Sequence, residues 1–358
     1  MVQKPSSITS LEESKGPSAS LRQATTSQPQ ENIKTVVTNG PTPKNKPTVT
    51  DLFPKVDPRV DGDDCDHDCA SCSISYPRGF KIEENLKLYG GVKPWETHLI
   101  VATGKSDWVR EVADEKGSVM EAIGSVKGMK LSASNMPLPQ GSISYTDPTR
   151  VLLLPAMTMI ENVTPNNVKT LVNEHIIPSV KTVTPMAENE NASANGVSEA
   201  EASLSRRIVP ILEARPCPHN TIIFLCSQRT RDARCGQSAP LIRRELERHL
   251  RPLNLYRDLD DERPGGVGIY FISHVGGHKW SANVIIYRRP DPWGVDEKGR
   301  GEGHDIEDLV KKACIWLARI KPADCEGIVK YTVLQGKVVK PEWQLRGGFD
   351  RARGLVSW

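Results

Sequence analysis

Apolar residues fall into short runs along the chain, each about the length of a buried strand and flanked by turn residues or by stretches with helical spacing. Six such runs, Thr97–Thr103, Val151–Leu154, Ile222–Leu225, Val267–Ile272, Asn283–Tyr287 and Ala313–Arg319, predict strands. Helical spacing predicts a helix over Asp107–Lys116 with Asp107 as its N-cap. It predicts a second over Val163–Ile176, with Thr164 as N-cap and Pro165 at the first helical position. Further helices are predicted over Ala239–Leu250, from Asp305 onward, and after Pro322. Strands alternating with helices predict an α/β fold.

Two stretches lack any period. Residues 1–58 are rich in Ser, Thr, Pro, Gln and Lys and read as a disordered leader, and residues 182–206 read as a linker. Between and after them lie an N-terminal α/β module, residues 59–181, and a C-terminal one, residues 207–358. The modules echo each other. Val163-Thr-Pro165 through Val172 shares a register with Ile320-Lys-Pro322 through Val329, and Leu99-Ile-Val-Ala-Thr-Gly matches Ile223-Phe-Leu-Cys226-Ser-Gln. The first copy lacks the cysteine at its strand end.

With 37% hydrophobic and 25% charged residues the 358-residue chain has the composition of a soluble globular protein. It offers no apolar run of membrane-spanning length and no secretory signal, so no membrane span is expected. Glu12, Glu13 and the scarcity of Arg make the leader a poor mitochondrial presequence. A formal charge of +3 gives no reason to expect nucleic acid as a partner. Eight cysteines without a secretory signal point to metal or redox chemistry rather than to a disulfide framework.

The cysteines and histidines form two constellations. Cys226 and Cys235 follow one predicted strand, and His274 and His278 follow another. Two thiols and two imidazoles at strand ends make a four-ligand set. The spacing between the thiols is wide for a zinc knuckle but comfortable for an iron–sulfur rhomb. Arg229, Arg231 and Arg234 bring positive charge beside the thiols, and Gly236 lets the backbone pass close by. Gly276 and Gly277 make a tight loop a better reading of the histidine motif than a helix. The second constellation, Cys65, Cys69 and Cys72, precedes the first predicted strand and is a candidate second thiol or metal site. Singly, each of these residues would read as a packing or surface residue. Cys217, His219, Cys314, Cys325, Tyr256, Trp280 and Trp293 are read that way, and His249 as a partly cationic imidazole at a helix C-terminus.

Cys226 through Cys235-Gly236, the helix after it and Ser273–His278 resemble the sucrase/ferredoxin-like family of thioredoxin-like ferredoxins. The Cys-rich segment before Tyr76-Pro77, Ala102–Trp108 and Pro341–Phe349 resemble its fungal altered inheritance of mitochondria protein 32 branch. The likeness covers roughly residues 60–358 and implies a thioredoxin-like ferredoxin module, preceded by a related α/β module without a cluster. It also implies a 2Fe–2S cluster as cofactor, held by Cys226, Cys235, His274 and His278. The expected role is electron transfer or redox control of protein thiols with redox partner proteins, in the mitochondrion and also in the cytoplasm. Ser357-Trp358 is similar to tails recruited by the cytosolic iron–sulfur assembly targeting complex. Two other readings stay open: a thiol–disulfide oxidoreductase working through Cys65, Cys69 and Cys72, and a zinc-stabilised interaction module.

Overall fold

The computed structural model describes residues 46–181, 211–290, 293 and 312–358, and all structural statements below refer to these. The expected linker at 182–206, the helix from Asp305 and residues 1–45 of the expected leader lie outside them. Packed chain begins well before residue 58. Leu52 and Phe53 are fully buried, and Lys55 bridges to Val338.

Strands β1 (Thr97–Ala102) and β2 (Met129–Ser134) run parallel, β3 (Thr149–Leu154) pairs antiparallel with β1, and β4 (Thr158–Val163) pairs antiparallel with β3. The second half repeats this order. Strand β6 (Thr221–Cys226) is parallel to β8 (Val267–Ile272) and antiparallel to β9 (Val284–Arg288), which pairs antiparallel with β10 (Ala313–Leu317). Each half is thus a β-α-β-β-β-α unit of thioredoxin-like order. The two meet edge to edge, β2 against β8 with Ser134 opposite Ile272, in one twelve-stranded sheet. Strand β5 (Glu213–Pro216) extends one edge; β11 (Leu345–Asp350) and β12 (Leu355–Val356) extend the other, and β7 (Tyr256–Arg257) pairs with β8. Every residue of β1 and β6 is buried, as befits apolar, β-branched central strands covered on both faces.

The echo seen in the sequence is structural. In the first half, Pro165–Asn167 forms a 3-10 turn that runs through Val168–Thr170 into a π-helical turn, Leu171–Ile176. In the second, Pro322–Asp324, Cys325–Gly327 and Ile328–Val333 repeat that succession. Both start alike. Thr164 N donates to Asn167 Oδ1 at 2.8 Å, and Lys321 N donates to Asp324 Oδ2 at 2.7 Å.

Two predicted helices differ. Residues 107–116 are not helical apart from a short 3-10 turn at Val112–Asp114, because the Asp107 carboxylate accepts from Thr230 N and Oγ1 instead of capping a helix. The helix predicted over 239–250 is Ala233–Leu250 (α3, after α1 at Val119–Ile123 and α2 at Val168–Thr170). Asp232 caps it by accepting from Arg234 N at 3.0 Å, and Pro240 is tolerated inside it. On one face of the sheet, α3 buries Ile242, Leu246 and Leu250 against Ile223 and Leu225. The other face is a single apolar layer shared by both halves, with Ile100 and Leu152 joined to Phe224, Tyr270 and Ile285.

Candidate metal centre

Cys226 and Ile272 are register partners at the ends of the parallel strands β6 and β8, so the loops after both strands leave the sheet at one place. Cys226 is the last residue of β6, and Cys235 sits in the first turn of α3; both thiols are buried. The loop after β8 returns His274 and His278 to the same point, their ring centroids 5.1 Å apart. A left-handed turn makes this possible. Gly277 has φ 72°, and a Cβ there would lie 2.6 Å from the Arg346 guanidinium carbon. Gly236 is needed for close approach: a Cβ there would lie 2.5 Å from Arg229 Cβ.

The four side chains form a chain of contacts. The Cys226 thiol hydrogen-bonds to Cys235 and is itself driven up in pKa by that neighbour and by burial. Cys235 is the easier thiol to ionise, held down first by Cys226 and also by His274 and Ser281, whose Oγ lies 3.4 Å from its sulfur. A place in the first turn of a helix favours the same thiolate. His278 Nε2 stands 3.7 Å from Asp232 Oδ2, yet burial lowers the pKa of the ring. Neutral imidazoles are the form that ligates metal. Both Nδ1 atoms, of His274 and of His278, are buried and have no hydrogen-bond partner among the described residues. Unpaired buried ring nitrogens are costly, and ligation of a metal by them would remove that cost.

Charge makes a second argument. Lys130 is half-buried against the rings of Trp95 and Trp316, and burial pushes it down to about 8. Arg346 is buried over Trp316 and pushed down to about 10 by the same cause. The Cys226 sulfur is near both cations, and a thiolate there would offset this cost for each, with Cys314 also beside Lys130. Neither cation has a carboxylate within ion-pair distance among the described residues, so the pair suits thiolates and a negatively charged occupant beside Cys226. Buried sulfurs, unpartnered imidazole nitrogens and unneutralised cations together fit a small iron–sulfur cluster.

These cations were not legible in the sequence. Of the expected arginines, Arg234 is paired with Asp232 beside Cys235 and Arg231 with Glu111, while Arg229 lies against Gly236. Other supporting residues are equally silent in sequence. Gln228 Oε1 accepts from His274 N at 2.7 Å, and its Nε2 donates to Val109 O at 2.6 Å. Arg346 Nη1 donates to Gly276 O at 2.7 Å and Asn283 Oδ1 at 2.9 Å, fixing the glycine turn from below. The β2–β8 seam continues past the strands, with Ser273 N donating to Ala133 O at 2.9 Å, so the first half helps aim the histidine loop. By equivalence of register, the first half has Ala102 where the second has Cys226, and Met136 where it has His274. It has no donors there.

Cys65, Cys69 and Cys72 do not share one point. Cys65 packs with Val56, Tyr331 and Val339, whereas Cys69 lies 3.9 Å from His249 Nε2. His249 is in the last turn of α3 as expected, but burial and Arg248 lower its pKa, so it is not the cationic cap the helix end suggested. Cys217, Cys314 and Cys325 are buried with raised thiol pKa values from desolvation. His219 is buried with Nε2 2.9 Å from Tyr270 Oη. Trp358 stacks on Trp95 at 4.2 Å and meets Phe349 edge-on. No described helix is long and apolar enough to cross a membrane.

The profile of the sucrase/ferredoxin-like family matches residues 88–347. The chain is 26% identical to Actin patches distal protein 1 of Saccharomyces cerevisiae, covering 80% of this chain and 85% of that protein. It is 25% identical to Altered inheritance of mitochondria protein 32 of Clavispora lusitaniae over 49% of this chain and 50% of that protein. To the protein of that name in Eremothecium gossypii it is 32% identical, over 39% of this chain and 36% of that one. No solved structure matches. The matched region takes in both halves of the sheet and all four converging side chains, and the chain belongs to the sucrase/ferredoxin-like family.

Proposed function

We propose that this protein binds a 2Fe–2S cluster through Cys226, Cys235, His274 and His278 and works in one-electron transfer or in redox control of protein thiols. The observation that carries this reading is the convergence of two buried thiols with two imidazoles whose buried Nδ1 atoms have no partner. The family name, ferredoxin-like, is consistent with it. A bound cluster supplies a site for one electron, and two imidazoles in place of two thiolates raise its potential. The protein's own residues do the rest. Arg346 and Lys130 hold positive charge beside Cys226, which favours thiolates and an added electron. The sulfurs are buried, whereas the His278 side chain is 39% exposed, so its ring edge is the point at which a redox partner approaches. The relatives' names mention mitochondria and actin patches, and we place this chain in the mitochondrion with a cytoplasmic pool.

Iron and acid-labile sulfide analysis of anaerobically purified protein tests the reading. Wild type is expected to carry both in equal amounts, and Cys226→Ser and His274→Ala to lose them. Wild type free of sulfide overturns it. In that case the contact between Cys226 and Cys235 leaves thiol–disulfide chemistry as the second reading.

A further inference from the structure

A second group of metal-ligating side chains lies on the far end of α3, away from the centre described above. Cys69 Sγ, a ring nitrogen of His249 and a carboxylate oxygen of Glu326 all lie within 4.8 Å of one another. Three separate segments bring them together. Cys69 comes from the chain before β1, and its backbone N–H donates to Ala323 O at 2.9 Å, docking that segment beside Glu326. His249 comes from the last turn of α3, and Glu326 from the short helix α4 (Cys325–Gly327). Glu245, one turn before His249 and 2% exposed, places its carboxylate 3.8 Å from His249 Nε2, and the Cys72 thiol lies against it.

A cation already sits among these donors. The Arg248 guanidinium Nη2 lies 3.4 Å from Cys69 Sγ, 3.1 Å from His249 Nε2 and 2.8 Å from Glu245 Oε2. The Cys69 sulfur, the His249 ring and the Glu245 carboxylate therefore surround one positive centre. The arginine side chain is 40% exposed, so solvent is open to it once its contacts with Glu245 and Ser71 are given up.

We propose that Cys69, His249 and Glu326 form a zinc site that fastens the Cys-rich segment to the C-terminal half of the sheet. One thiolate, one imidazole and one carboxylate are a borderline-soft donor set suited to zinc. Three protein ligands leave the fourth tetrahedral position to water, with Cys72 and Glu245 at its edge. Cys65 takes no part. The site shares no ligand with Cys226, Cys235, His274 and His278 and does not depend on a cluster being bound there.

The test uses the full chain and zinc alone as probe, in a Cys226→Ser/Cys235→Ser background so that zinc held by the first centre is not counted. Bound zinc is measured by elemental analysis and affinity by competition with a chromophoric chelator. One zinc per chain is expected, with Cys69→Ser and His249→Gln each weakening it at least tenfold and Arg248→Ala binding at least as tightly. Circular dichroism on each variant shows that it folds, and the same titration on wild type guards against a background that does not. Folded protein that takes up no zinc in either background overturns the proposal, as does zinc binding that survives Cys69→Ser unchanged.

Discussion

Gln228 and His274 are joined by a hydrogen bond of 2.7 Å from the His274 backbone N–H to Gln228 Oε1. The other end of the same amide donates to Val109 O, so one buried side chain ties the thiol loop to the histidine loop and to the first half of the protein. Gln228→Ala leaves the His274 N–H without its partner, a cost of about 1–3 kcal/mol. The expected result is a folded protein of lower stability that loses iron several-fold faster to a chelator, with Gln228→Glu as the shape-preserving control. Stability is read by urea unfolding and iron loss by absorbance.

Gly277 is held in a left-handed conformation against the Arg346 guanidinium. Gly277→Ala adds backbone strain of order 1–3 kcal/mol and a direct clash. Combining it with Arg346→Ala removes the clash but not the strain. The single variant is therefore expected to bind iron more weakly than wild type, and a double-mutant cycle to show coupling between the two positions.

Lys130 and Arg346 put positive charge next to Cys226 without a compensating carboxylate among the described residues. Lys130→Met is expected to lower the reduction potential of the bound centre, by about tens of millivolts, since net charge is one of the quantities that set it. An unchanged potential in a folded variant would show that these cations act only in packing.

His219 supplies a pH dependence. Burial holds it down to about 4, below its ordinary 6.5. With a depressed folded pKa, the unfolded chain takes up the proton first, so the contribution is complete above about 6.5 and is lost as pH falls toward 4. The shift corresponds to about 3 kcal/mol. Urea unfolding of iron-free protein between pH 7 and 4 is expected to show this loss, and His219→Gln, which can still meet Tyr270, to flatten it.

Six of the twelve strands and the internal echo were legible in the sequence, because buried strands announce themselves as apolar runs. The candidate donors Cys226, Cys235, His274 and His278 stand at the end of one of those strands or in the loops and turn that follow two of them. The supporting shell was not. Nothing local marks Gln228, Asn283, Lys130 or Arg346 as supporting residues, and only tertiary packing gives them that role. Local rules also misread the 107–116 segment. Asp107 is a competent N-cap, but Thr230 offered its carboxylate better partners across the chain. His249 likewise read as a helix-end cation until burial beside Cys69 and Glu326 changed its character.

The central claim is mixed thiol and imidazole ligation of a 2Fe–2S centre. Its most direct test is the electron-paramagnetic-resonance spectrum of dithionite-reduced, anaerobically purified protein, beside His274→Cys and His278→Cys. The account predicts a 2Fe–2S signal in wild type that moves toward all-thiolate ferredoxin values in both variants. A colourless wild-type protein carrying stoichiometric zinc at this centre, or a signal indifferent to both substitutions, would contradict it.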